Sequence, residues 1–488
     1  MPQGSNGRRA ALLYLAAAVA IYFLFFFHLT AMGLVGPDEP RYAWVGREMA
    51  RSGDWITPRL WGRPWFEKPA LLYWMAAGAF RLGLDNDLAP RLPVAILSAL
   101  FLLFFYRRLR AEFGATAAAY AAAILATSAG WAAYSRAAVF DIPLAATFSA
   151  AMLCLLGWIE RGETRGIVPF AALLGLSMLA KGLVGPVLAA LTIFGWSARM
   201  GWRSLRAFWR PLAVLIFLAV PAPWYALCYA RNGSAFLTEF FWRQHVERYA
   251  AGALAHPQPL WFFLPVLAAG LLPWTPLVAA LGWAGLWRER RCFFLALWAA
   301  VTLVFFSFSR DKLPHYILPA LPPIAALAGL ALSRMAPSRI ALPLCALLLG
   351  LLPFGASVLP EALDAGLGRA LAQARLPALA VTFAVVFALG IWALERARRR
   401  PFAIAAIALA TVAGYASIAQ STFPLIDQVA GTRPLWLEIQ ARGTDVCLGD
   451  TPRRVVYGLD YYAAGVLPTC EDHPARYRIE DHRIVPAP

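Results

Sequence analysis

The sequence predicts an all-α polytopic membrane protein of about thirteen transmembrane helices, with interfacial helices in the first outer loop and a small α/β cap at the carboxyl end. Three observations carry this expectation. Of 488 residues, 60% are hydrophobic and only 15% charged, against roughly 45–50% apolar in soluble domains. The excess gathers in runs of about 17–25 residues, the length that crosses a hydrocarbon core roughly 30 Å thick. Basic clusters punctuate the runs and all fall on one side when the amino terminus is cytoplasmic, as positive-inside topology requires.

The first run, Ala10 to Val35, contains no Asp, Glu, Lys or Arg. It exceeds the roughly 7–15 apolar residues of a signal peptide core, and "GPDEP" after it is not a small-residue cleavage site, so it reads as an uncleaved helix. Later spans centre near Ala99, Ile124, Cys154, Leu173, Leu191, Phe217, Leu271, Val301, Ala325, Leu348, Phe387 and Ala410. An odd number of spans places the carboxyl tail on the outer side.

Two long segments reach that side, 36–89 and about 230–259. In the first, Tyr42, Val45 and Met49 recur at helical spacing and leave Arg41, Arg47, Glu48 and Arg51 to face water. "KPALLYWMAAGAFRL" gives a second helix, and both are expected to lie in the membrane interface. The stretch between them, "SGDWITPRLWGRPWFEKP", has the Gly, Pro and Trp content of a rigid interfacial loop.

The membrane domain is expected over residues 1–420 and a small outer domain over 421–488. In the latter, "RRVVYGLDYYAAGV" suggests a strand and then a helix. Cys447 and Cys470 lie in this polar tail, where an oxidising compartment permits a disulfide. Cys154, Cys228, Cys292 and Cys345 lie in or beside apolar runs and read as small core residues.

The net charge of +17 would suggest nucleic acid in a soluble protein. Here it is spent on loops between spans, without a nucleic-acid fold signature, so no nucleic-acid partner is expected. No Walker-type loop, Gly-rich dinucleotide turn or HExxH occurs, and no nucleotide cofactor is expected.

Some charges exceed what topology requires, and ionisable groups at membrane depth are costly enough to be functional candidates. They are Asp38, Glu39 and Arg41; Glu67 and Lys68; Asp141; Lys181; and Arg310, Asp311, Lys312, His315 and Tyr316 in "SRDKLPHYILP". Each has a plainer alternative. Asp38 and Glu39 could mark the water boundary, Asp141 could cap a helix before Ile142-Pro143, and Lys181 could snorkel. Together they put carboxylates and cations on one face at the ends of several spans. Cations there suit an anionic lipid headgroup, and a carboxylate suits proton removal or the orientation of a cation.

The run "GPDEPRYAWVGREMARSGDWITPRLWGRPWFEKPALLYW" closely resembles the first outer loop of the ArnT-like bacterial glycosyltransferases. These stand with the protein O-mannosyltransferases among lipid-carrier-dependent membrane transferases. "AKG" at Lys181 and "DKLPHYILPALPPIA" from Asp311 resemble two further family segments. The resemblance implies a monomeric enzyme of the bacterial inner membrane, with a cytoplasmic amino terminus and a periplasmic active site and carboxyl terminus. Its donor would be a sugar, aminoarabinose or a related glycosyl group, on undecaprenyl or another polyprenyl phosphate. Its acceptor would be lipid A or another envelope glycolipid, with protein hydroxyls as the alternative. A transporter or flippase of lipid-linked sugars is the rival from another class.

Carried over by position, the resemblance makes Asp38, Glu67 and Asp141 the catalytic candidates. Lys68 would face the carrier phosphate, with Arg41, Lys181 and Tyr316 lining the same cavity. "FFWRQHVERY" maps onto His245 and Arg248 near the donor, with Arg243 an alternative to Arg248. A divalent metal on Glu67 and His245 is one expectation, and a surface histidine is the other. The chain departs from the family in its short tail, which leaves the acceptor more open than the chemistry.

Overall fold

Backbone polar groups in hydrocarbon must bond within their own segment, and this chain satisfies them with helices. The computed structural model describes residues 3–247, 257–282, 285–336, 339–375, 377–443 and 445–486. Among the described residues eight helices are long and apolar enough to cross a membrane, from Leu88–Phe113 to Arg400–Ala430. Two bent pairs could each form a further span: Pro211–Ala219 with Ala222–Asn232, at 45°, and Leu260–Gly270 with Thr275–Gly282, at 109°. Three shorter apolar helices, Ala11–Phe26, Ala115–Thr127 and Val184–Met200, complete the set. Every span centre read from the sequence falls in one of these helices, except Leu271, which sits at the 109° break. The chain is an integral membrane protein with a polytopic helical fold.

Two helices form the centre of the bundle. Of an 18-residue apolar stretch in each, 94% is buried in Asp141–Arg161 and 89% in Pro314–Arg334, against 17% in Ala378–Arg396, which faces outward. Small residues let the central helices approach closely. A Cβ on Gly329 would lie 2.5 Å from the Ala121 nitrogen, so only glycine permits that contact with Ala115–Thr127.

The first long loop holds the two expected helices, Asp38–Ser52 and Leu71–Arg81. They pack tightly where a Cβ on Gly46 would meet Ala76 at 2.7 Å. A short hairpin, Arg59–Leu60 with Arg63–Pro64, turns the chain between them and was not expected. Arg47 is a correction. It does not face water but is buried between the rings of Trp44, at 4.9 Å, and Tyr461, at 4.2 Å. Aromatic faces attract a guanidinium, and here they come partly from the tail. Arg51 is exposed as expected.

The tail beyond the last span corrects a second expectation. Arg453–Ala463 is helical throughout, without the leading strand. Its adjacent β-branched pair Val455 and Val456 suggested a strand. Burial instead follows helical spacing, with Val455 and Leu459 packed against Leu435, Ile439 and Ile479. Strand Val446–Leu448 pairs in parallel with Tyr477–Glu480, which pairs antiparallel with Arg483–Pro486. A disulfide joins Cys447 to Cys470.

This unit is pinned to the first loop. Tyr461 donates to the Asn86 carbonyl at 2.7 Å, and Tyr462 donates to Asp87 at 2.7 Å while accepting from the Leu34 N–H at 2.8 Å. Arg433 spans Asp87, at 2.6 Å, and Asp427. Gly33 must stay bare there, since a Cβ would lie 2.7 Å from the Tyr462 hydroxyl.

Candidate active site

The first loop, the starts of two central helices and the tail enclose a cavity of about 1080 Å³. Asp38, Arg41, Glu67, Lys68, Asp141, Lys181 and Tyr316 all line it. Residues up to 278 positions apart thus meet in one place.

Each charged member is held by local structure. Asp38 opens its helix after Pro37, where the macrodipole favours a carboxylate. One turn on, Arg41 reaches Asp38 at 2.5 Å and Glu67 at 3.0 Å. Lys68 flanks Glu67 from the other side at 3.4 Å. The Arg41 guanidinium also lies 5.5 Å from the Trp65 ring and 5.6 Å from the Tyr457 ring. Burial works to lower its proton affinity, but Tyr42, Glu67 and Asp38 outweigh that and hold it above the ordinary arginine value, so it stays charged.

The second cluster joins opposite helix ends. Asp141 is the first residue of its helix, and Lys181 is the last of Ile167–Lys181, which Gly182 ends at φ 67°. A carboxylate at an N-terminus and an ammonium at a C-terminus each suit the local dipole. They meet at 2.5 Å, with His315 Nε2 3.6 Å from the other Asp141 oxygen. Phe140, not Asp141, is the N-cap of this helix, and the Asp141 carboxylate meets Lys181 and His315 across the cavity. Lys181 sits 4.7 Å above the Tyr316 ring and does not snorkel outward. Tyr316 donates to Asp311 at 3.3 Å.

Glu39 turns away from the cavity. It is 3% exposed and pairs with Arg91 at 2.6 Å, while accepting from the Val35 and Ala138 N–H groups. Arg91 also donates to the carbonyls of Leu29, Met32 and Gly33. This network fastens the end of the first span to the bundle.

Lys312, another candidate charge, is buried and donates to the Gln258 carbonyl at 3.0 Å. Arg248 and the His245 side chain lie outside the described residues; Arg243 is exposed and pairs with Glu239 at 3.1 Å. The expected metal on Glu67 and His245 finds no support in the donor set. Arg41 and Lys68 bracket Glu67 and oppose a cation, and among the described residues no three His, Cys, Asp or Glu gather to hold one.

His315, one of the candidate charges in the sequence, lines the cavity beside Asp141. Sequence reading missed three contributors. Arg453, Arg454 and Tyr457 line the cavity from the tail, and their signal was a pair of arginines on an amphipathic helix more than 380 positions downstream of Lys68.

The geometry offers three carboxylates facing three cations beside a membrane, a set suited to a phosphate leaving group. The family model for dolichyl-phosphate-mannose-protein mannosyltransferase matches residues 67–226. The undecaprenyl phosphate-alpha-4-amino-4-deoxy-L-arabinose arabinosyl transferase of Pseudomonas aeruginosa is 33% identical, over 93% of this chain and 88% of its own. The chain belongs to the ArnT-like family of membrane glycosyltransferases. Its fold agrees with ArnT from Cupriavidus metallidurans in a crystal structure bound to undecaprenyl phosphate: TM-score 0.76 and 28% identity, over 94% of this chain and 85% of that one. Arabinosyltransferase EmbB from Mycobacterium smegmatis shares the fold alone, at TM-score 0.52 and 14% identity. This ArnT-like chain is therefore an enzyme that uses a polyprenyl-phosphate-linked sugar, and the transporter alternative loses its ground.

Proposed function

We propose that this transferase moves aminoarabinose, or a closely related sugar, from undecaprenyl phosphate to a phosphate of lipid A. The observation that carries the reading is the convergence of Asp38, Arg41, Glu67, Lys68, Asp141 and Lys181 in one cavity. The names of the P. aeruginosa relative and of the C. metallidurans ligand support the donor.

The reaction is a displacement at the anomeric carbon through an oxocarbenium-like transition state. The bond from that carbon to the carrier phosphate oxygen breaks, and its electron pair stays on the phosphate. An acceptor oxygen forms the new bond. Lys68, Arg41 and Lys181 stabilise the charge that develops on the leaving phosphate. A phosphate acceptor is already ionised near neutral pH, so no general base is required. Asp38 and Glu67 then act by gripping Arg41 from two sides and aiming it, and Asp141 does the same for Lys181.

In this reading the protein sits in the bacterial inner membrane, with a cytoplasmic amino terminus and the cavity on the periplasmic side. It crosses the bilayer about thirteen times, the count reached if both bent pairs and the three shorter apolar helices all span. Residues 1–420 form the transferase part and 421–488 a periplasmic cap, with helix Arg400–Ala430 continuing across that boundary.

Purified protein given radiolabelled undecaprenyl-phosphate aminoarabinose and lipid A should yield labelled lipid A. Normal transfer by both Asp38→Asn and Lys68→Ala would overturn the assignment of the site.

A further inference from the structure

The cavity draws its cations from two sources that differ in how they are compensated. Arg41, Lys68 and Lys181 belong to the membrane part, and each meets a carboxylate: Asp38 and Glu67, Glu67, and Asp141 respectively. Their side chains are 12–14% exposed. Arg453 and Arg454 come from the tail helix, line the same cavity and are exposed. Among the described residues Arg453 forms no ion pair, and Arg454 meets Asp481 at 3.6 Å, which is itself 72% exposed. The least compensated positive charge of the cavity is therefore supplied by the tail, by Arg453 without an ion pair and Arg454 with a solvent-exposed one.

Its position is set by packing. Tyr457 lies four residues after Arg453 and three after Arg454, on the same helical face. Its ring stacks on Trp61 at 5.2 Å and lies 5.6 Å from the Arg41 guanidinium. Tyr461 and Tyr462 fasten the other end of this helix to Asn86 and Asp87. A rigid helix thus presents two arginines beside the cation that faces the donor. Helix stability alone does not select this placement, since positive charge in a first turn opposes the macrodipole.

We propose that Arg453 and Arg454 form an anion subsite that binds a phosphate of the acceptor headgroup, making them specificity-determining residues for the acceptor. This rests on the transferase reading of the cavity. The donor phosphate must lie where its bond breaks, among cations already aimed by carboxylates. An acceptor arriving from water meets Arg453, which pairs with no carboxylate among the described residues, and Arg454, whose partner Asp481 is 3.6 Å away and open to solvent; the forked donors of both match phosphate oxygens.

The test uses the intact protein in nanodiscs, with lipid A in phosphorylated and dephosphorylated forms. We expect the wild type to bind the phosphorylated form about 10-fold or more tightly, and Arg453→Ala/Arg454→Ala to lose that preference. In transfer assays the double variant should raise the acceptor KM about 10-fold, with kcat and donor KM within about 2-fold. Arg453→Lys/Arg454→Lys should restore much of the loss, which a misfolded tail would not allow.

A double alanine variant that keeps the preference for phosphate, or that raises donor and acceptor KM alike, would overturn the subsite. A wild type that binds phosphorylated lipid A through these arginines but transfers no sugar would overturn the proposed function and leave the subsite standing.

Discussion

Asp38 and Glu39 are neighbours in the chain and serve opposite faces of the protein: Asp38 grips Arg41 in the cavity, and Glu39 is buried against Arg91. A helix turns successive side chains by about 100°, so one carboxylate can serve the site while the next holds the frame. Asp38 is 35% exposed at its side chain, against 9% for Glu67 and 6% for Asp141. It is the acidic group most open to a substrate.

These two residues should separate cleanly by mutation. Asp38→Asn is expected to lower transfer by about 10²-fold while leaving the melting temperature in detergent within about 2 °C. Glu39→Ala strands Arg91 as a buried unpaired charge and should cost about 3–5 kcal/mol of stability. Equal melting temperatures for the two variants would show that the division of roles is wrong.

Asp141 and Lys181 should act as a unit. Removing either leaves its partner charged and uncompensated in the cavity wall, so Asp141→Asn and Lys181→Met should each reduce kcat/KM strongly. The double variant should be far less than additive, with a coupling of about 1–3 kcal/mol in a double-mutant cycle. Strict additivity would mean that the 2.5 Å pair has no role in transfer.

Asp460 supplies a pH signature in the tail. Burial raises its carboxyl to about 6, although the Leu467 N–H donates to it at 2.9 Å and works the other way. The folded value lies above the unfolded one, so its favourable contribution is fully present below the ordinary carboxylate value. It is lost as pH rises through about 6. Hydrogen-exchange protection over residues 453–470, taken relative to intrinsic exchange rates at each pH, should therefore fall between about pH 4 and 6, an effect of at most about 3 kcal/mol. Asp460→Asn should flatten that pH dependence; an unchanged slope would assign it to another group.

Reduction of the Cys447–Cys470 bond should loosen the tail without unfolding the bundle. The bond closes a separation of 23 residues, and its loss should cost the tail about 3 kcal/mol. Limited proteolysis of the Cys447→Ser/Cys470→Ser variant should cut within 443–486 while the membrane helices stay intact. Resistance equal to wild type would show that docking by Arg433, Tyr461 and Tyr462 suffices.

The helices were legible because apolar run length is a local property that the bilayer enforces along the chain. The site was legible in part because charge at membrane depth is costly, so Asp38, Glu67, Lys68, Asp141 and Lys181 stood out before any contact was known. Other features had no such local mark. Val455 and Val456 suggested a strand, and only packing against Leu435 and Ile479 shows the helical face. Arg47 looked like a solvated residue of an amphipathic helix until Tyr461 of the tail was seen to cover it.

The sequence by itself determined a multi-span helical membrane protein, the charged residues that do not serve topology, and the family resemblance of the first loop. The tertiary structure decided which of two adjacent carboxylates faces the cavity, which cations each carboxylate holds, and that the tail lends Tyr457, Arg453 and Arg454 to the site. The physical reason is range. Hydropathy and spacing are written in consecutive residues, whereas an ion pair such as Lys181 with Asp141, or a stack such as Tyr457 on Trp61, exists only once distant segments are packed together.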